Sequence, residues 1–130
     1  MTKDDWLAFE YALTQPYGTA ALLVDGFKVS FSVSRSGMRL VILTYVNGVF
    51  KGEWIVKDCE ERRRFYRPSS VSVYSEKERQ KLTKGFSKTN VKKYFPNLDR
   101  KFFVYHFEWL SVTYLKRHLM ANNKSIEVLS

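Results

Sequence analysis

The stretch TAALLVDGFKVSFSVSRSGMRLVILTYVNGVFKGEWIV, residues 19–56, decides the fold. Asp25-Gly26 divides an apolar run ending at Val24 from a segment in which Phe27, Val29, Phe31 and Val33 alternate with Lys28, Ser30 and Ser32. Period-2 alternation after an Asp-Gly pair predicts a tight hairpin leading into a strand buried on one face. Ser36-Gly37 marks the next turn. From Met38 to Val46 both alternating sets are apolar, Leu40 and Ile42 against Val41, Leu43 and Tyr45, which suits a central strand covered on both sides. Asn47-Gly48 is the strongest hairpin signal in the chain, because a type I′ turn needs positive φ at both central residues. Phe50, Trp54 and Val56 then alternate with Lys51 and Glu53. The expectation is a four-stranded antiparallel meander.

On the N-terminal side, Thr2 with Asp5 three residues later approximates a capping box, and Trp6, Phe9 and Leu13 make the buried stripe of a helix ended by Pro16 and Gly18. On the C-terminal side the elements are shorter. Lys57 to Tyr66 reads as a short helix or basic loop stopped by Pro68, and Val71 with Val73 as a short strand. Ser75 with Glu78 opens a helix to about Lys84, with Gly85 just beyond it. Ser87 or Thr89 caps another, closed by Pro96. Phe102 to Phe107 reads as an aromatic strand, Ser111 opens a last helix with Val112, Leu115 and Leu119 on one face, and Ile126 with Val128 makes a terminal edge strand. The expected class is α+β: an N-terminal helix, a meander, then a helical basic half with one or two further strands. We expect one domain over residues 1–130, with 1–56 as a neutral scaffold and 57–130 packed on it.

The charge follows the same division. Residues 1–56 hold five basic and five acidic groups, so the whole net charge of +9 lies in residues 57–130. Between Arg62 and Lys101 there are thirteen basic groups and three acidic ones. Such a field attracts polyanions. With 45% hydrophobic residues the chain has enough apolar material for a core, so this is a folded basic surface and not a basic tail. One cysteine, Cys59, excludes an internal disulfide and a cysteine metal site. No apolar leader follows Met1 and no run approaches the ~20 residues needed to span a bilayer, so a cytoplasmic location with no membrane partner is expected.

The candidate binding residues are Arg62, Arg63, Arg64, Arg67, Lys77, Lys81, Lys84, Lys88, Lys92 and Lys93. Arginine forks match phosphate oxygens, and a lysine stripe gives sequence-blind, salt-dependent affinity. Against this, Glu60 and Glu61 can pair with the arginines while Phe65 and Tyr66 anchor the segment in a core, and Gly85 can break the stripe before Lys88. Phe102, Phe103, Tyr105, Phe107 and Trp109 could stack unpaired bases, but their alternation suits a strand buried on both faces. His106, Glu108 and His118 would make a hydrolase or nuclease site only if folding brought them together, and their order matches no metal-ligand spacing. The chain shows no phosphate-binding glycine loop, serine elbow or helical metal motif, which points away from an enzyme and implies no cofactor and no metal.

Four stretches, Tyr45–Trp54, Phe65–Pro68, Lys92–Pro96 and Leu115–Leu119, resemble segments of small uncharacterised proteins encoded by bacteriophages and prophages. That resemblance implies host-takeover, counter-defence or nucleic-acid-handling roles, and transfers no functional residue. The function expected is non-specific binding of nucleic acid or a nucleoprotein by a phage-type accessory protein. The alternative is an inhibitor that docks on an acidic or nucleic-acid-binding surface of a host defence or nucleic-acid-processing complex.

Overall fold

The computed structural model describes residues 1–129. The elements run α1 (Lys3–Ala12), β1 (Thr19–Val24), β2 (Phe27–Ser36), β3 (Arg39–Val46), α2 (Glu53–Val56), α3 (Glu60–Phe65), β4 (Arg67–Ser72), α4 (Glu76–Thr83), α5 (Lys88–Tyr94), β5 (Lys101–His106), β6 (Glu108–Trp109), α6 (Val112–Asn122) and β7 (Ile126–Val128). The class is α+β. A five-stranded sheet has the order β6-β3-β2-β1-β7, and β4 pairs with β5 in a separate two-stranded sheet. The described residues form two compact units: 1–68 with 105–129, and Ser69–Val104. The division therefore falls inside β4 and β5 and not at residue 56.

The first unit is built on the hairpins. Asp25 and Gly26 have φ of 46° and 90°, and Asn47 and Gly48 have φ of 52° and 80°, as type I′ turns require. Tight turns fix the register, with Val29 opposite both Leu22 and Val46. One sheet face then carries Leu22, Val24, Val29, Phe31, Val33, Ile42 and Val46, all buried. The other carries Ser30, Ser32 and Ser34 from β2, half-buried. β3 is thus fully covered on one face and partly covered on the other. Of its outward side chains Val41 is buried, whereas Leu43 and Tyr45 are half-buried.

The meander has three strands, not four. After Asn47-Gly48 the chain makes a single bridge, Val46 to Val49, and then turns into α2. Trp54 is buried from that helix and packs edge-on against Tyr66 at 5.9 Å. The alternation of Phe50, Trp54 and Val56 was compatible with a strand, but Gly52 interrupts it and one buried indole sets the local structure. The place beside β3 is taken by β6, where Ile42 pairs with Trp109. At the opposite edge lies the expected terminal strand, β7, which pairs with β1, Val24 facing Ile126.

Helix α1 has a complete capping box. Asp5 N–H donates to Thr2 Oγ1 at 3.1 Å, and Thr2 N–H donates to Asp5 Oδ2 at 3.0 Å. The Thr2 backbone N–H chiefly, with the Thr2 hydroxyl adding, holds the Asp5 carboxyl below its ordinary pKa. Trp6, Phe9 and Leu13 face the core, with the Phe9 ring edge-on to Phe31 at 5.6 Å. Beyond the helix, a Cβ on Gly18 would stand 1.8 Å from the Ala12 carbonyl oxygen, so only glycine permits this close return of the chain to β1.

The second unit, Ser69–Val104, contains α4 and α5 with parts of β4 and β5. Its caps follow the sequence: Ser75 Oγ accepts from Glu78 N–H and Ser87 Oγ from Asn90 N–H. Arg79 pairs with Asp99. Leu98 is its only buried apolar residue among the described residues.

Candidate nucleic-acid interface

The four candidate arginines lie in the first unit, and each makes a contact within the fold, Arg64 the most. Glu60 and Glu61 at the start of α3 suit the positive end of the helix. Phe65 and Tyr66 at its end are fully buried, and burial pushes the Tyr66 phenol above its ordinary pKa. Arg64 is the most constrained. It pairs with Asp25 at 2.7 Å and Glu60 at 2.8 Å, and donates to Asn123 at 3.0 Å. Asp25 also accepts the backbone N–H groups of Lys124 and Ser125. Those two backbone bonds chiefly, with Arg64 adding, hold the Asp25 carboxyl below its ordinary pKa. The first hairpin turn, α3 and the segment after α6 are thereby tied together.

Arg62 lays its guanidinium 4.1 Å from the centroid of the Tyr105 ring, and its Nε is buried without an acceptor. Arg67 Nε donates to the Glu108 carbonyl at 3.1 Å. Arg63 is the most exposed of the four at 58%, and pairs with Asp58 at 2.9 Å.

The six candidate lysines all lie in the second unit. Lys77, Lys81, Lys84, Lys88, Lys92 and Lys93 are exposed, and none is in an ion pair among the described residues. They do not form one stripe. Helix α4 ends at Thr83, Gly85 takes φ of 85°, and α5 begins at Lys88. Lys77 and Lys81 share a face of α4, and Lys88 and Lys92 a face of α5. Ser69–Val104 as a whole holds nine basic and three acidic residues, a net +6 over 36 positions.

Aromatic side chains stand beside this charge. The front of β5 is exposed, with Phe102 at 48% and Phe103 at 64%, so the strand is not buried on both faces as its alternation suggested. A unit with one buried residue has no second layer to cover them. Phe86 sits edge-on to Phe95 at 5.3 Å. A cleft of about 160 Å³ is lined by Tyr74, Tyr94, Phe95 and Pro96 among others, and Lys93 Nζ lies 5.5 Å from the Tyr94 ring centroid. Sequence reasoning missed this cleft. Its signal was Tyr94-Phe95-Pro96 directly after Lys92-Lys93, an aromatic run interleaved with charge.

The histidines offer less. His118 Nε2–H donates to the Arg63 carbonyl at 3.0 Å, and Nδ1 accepts from the Asn122 amide at 3.2 Å. Its ring lies 5.1 Å from Trp109. Burial lowers its pKa, partly offset by the bond to Arg63. Among the described residues no three His, Cys, Asp or Glu side chains are grouped to hold a metal ion. No helix among them is long and apolar enough to cross a membrane. No protein-family model, curated protein or solved structure matches the chain.

Proposed function

We propose that this chain binds nucleic acid without sequence preference through Ser69–Val104, as an accessory protein of the phage type. The observation that carries this is the set of six exposed, unpaired lysines in a unit of net +6 that also leaves Phe102, Phe103 and Tyr94 open to solvent. Lysines neutralise phosphates and release counterions, and the rings offer π-faces to unpaired bases. Of the candidate arginines, Arg64 acts mainly in holding the first unit together. No base-reading fork is needed, so affinity depends on salt far more than on sequence.

Fluorescence anisotropy with labelled single strands and duplexes tests this. Binding at ~50 mM salt should fall steeply as salt rises, with a log–log slope of up to about −5 on duplex if all six lysines engage. Absence of binding to both polymers at ~50 mM salt sinks the proposal.

One observation favours the protein-binding alternative. At the β2–β3 hairpin, Met38 is fully exposed beside Tyr17 and Leu40, over a groove of about 350 Å³ that Arg35 also lines. A basic-edged apolar patch suits an acidic protein surface. A host complex retained after nuclease treatment, and lost in Met38→Asp, would replace nucleic acid as the partner.

A further inference from the structure

Helix α6 presents two adjoining stripes. Leu115 and Leu119 are fully buried. Tyr114, Arg117, His118 and Ala121 recur at i, i+3, i+4 and i+7 and form one wall of an open groove of about 480 Å³. Arg67, Pro68 and Trp109 line the rest. All of these belong to the first unit, and no acidic residue among the described residues lines the groove. Its size is that of a small-molecule site.

The floor of the groove is held by the fold. Trp109 is buried, with its indole N–H donating to the Phe65 carbonyl at 3.0 Å. His118 is held at both ring nitrogens against Trp109. Arg67 is oriented by its Nε bond to Glu108, and no protein acceptor takes its terminal NH₂ groups among the described residues. Arg117 is exposed and in no ion pair among the described residues, with its guanidinium carbon 5.9 Å from the Tyr114 ring centroid. Tyr114 itself is 64% exposed.

These parts ask for an anion joined to a flat ring. Two guanidinium groups match the oxygens of a phosphate. The tyrosine face and the apolar wall suit a planar heterocycle, which gains more there than in water. An inorganic anion leaves the apolar wall wetted, and a neutral ring leaves both arginines without an acceptor. We propose that the groove binds a nucleoside 5′-phosphate, with the phosphate at Arg67 and Arg117 and the base against Tyr114. A free nucleotide and the 5′-phosphorylated end of a strand both carry this chemistry. The site is distinct from the lysine interface and stands without it.

Calorimetry and amide-shift mapping with adenosine 5′-monophosphate, adenosine and inorganic phosphate test the assignment, alongside a dinucleotide with or without a 5′-phosphate. The monophosphate, titrated to about 5 mM, should shift the amides of Tyr114, Arg117 and Ala121. Arg117→Ala and Tyr114→Ala should each weaken binding about tenfold with unchanged circular dichroism, whereas Lys92→Gln with Lys93→Gln should not. Binding of the phosphorylated dinucleotide alone also supports the site and identifies a strand end as the source. Inorganic phosphate binding as tightly as the nucleotide overturns the proposal. So does the absence of saturable binding by either phosphorylated probe, or nucleotide binding that survives both substitutions.

Discussion

The two units handle apolar surface in opposite ways. In residues 1–68 and 105–129, hairpin register places Leu22, Val29, Phe31 and Val46 on one sheet face, and α1, α3 and α6 supply Phe9, Phe65 and Leu115 to the same core. In Ser69–Val104 only Leu98 is buried, while Phe86, Tyr94, Phe102 and Phe103 remain open. A 36-residue segment is below the size at which a hydrophobic core closes on its own. Its aromatics therefore stay beside its charges. Stability and polyanion affinity should accordingly reside in different parts of the sequence, and substitutions should separate them.

The largest expected effect is on the stability side. Phe65→Ala empties a fully buried position against Phe27 and should cost about 3–5 kcal/mol. Phe86→Ala, in the smaller unit and 44% exposed, should cost below about 1 kcal/mol. Urea unfolding followed by circular dichroism measures both. Equal losses would mean that Ser69–Val104 carries as much of the folding free energy as the sheet does, and the contrast between the units would fail.

The next effect is on binding. Replacing Lys77, Lys81, Lys88 and Lys92 together by Gln should reduce the magnitude of the salt slope on duplex by about 3 to 4 and leave the urea midpoint nearly unchanged. Arg64→Gln should do the reverse. It removes the pairs to Asp25 and Glu60 and so loosens the first hairpin turn and α3, with little change in slope. A quadruple lysine variant with the wild-type slope would transfer the interface to the arginines.

These expectations show which parts of the chain were legible. Asp25-Gly26 and Asn47-Gly48 gave the hairpins, because positive φ restricts residue choice so strongly. Thr2, Ser75 and Ser87 gave the helix starts through bonds that span three residues. Such signals are local. The fourth strand failed for a non-local reason: whether Trp54 continues a sheet or turns into a core depends on Tyr66, twelve residues later, and on β6 taking the place beside β3. The arginine cluster was ambiguous on the same ground. Nothing near Arg64 in sequence reveals Asp25, thirty-nine residues away. The exposure of Phe102 and Phe103, on opposite faces of β5, was hidden as well, since alternation reports which residues share a face and not whether anything covers it.

The smallest effect separates the units by pH. His118 donates through Nε2 and accepts at Nδ1, so a second proton would set a donor against the Asn122 amide. Burial lowers its pKa in the folded chain below the ordinary 6.5. The unfolded chain therefore binds more protons as pH falls through 6.5, and stability declines from there downward, with no dependence on this group above it. Asp25 works lower. Its folded pKa lies below 3.8, so its clasp on Lys124, Ser125 and Arg64 is fully present above that value and is lost only as pH falls further. Between pH 6.5 and 5, amide protection factors, which correct for the intrinsic slowing of exchange at lower pH, should thus fall in α6, where His118 sits, and around Arg63 in α3, and His118→Gln should abolish that fall. An equal fall in protection in α4 and α5 over that interval would show that the two units open together, because neither helix contains a histidine.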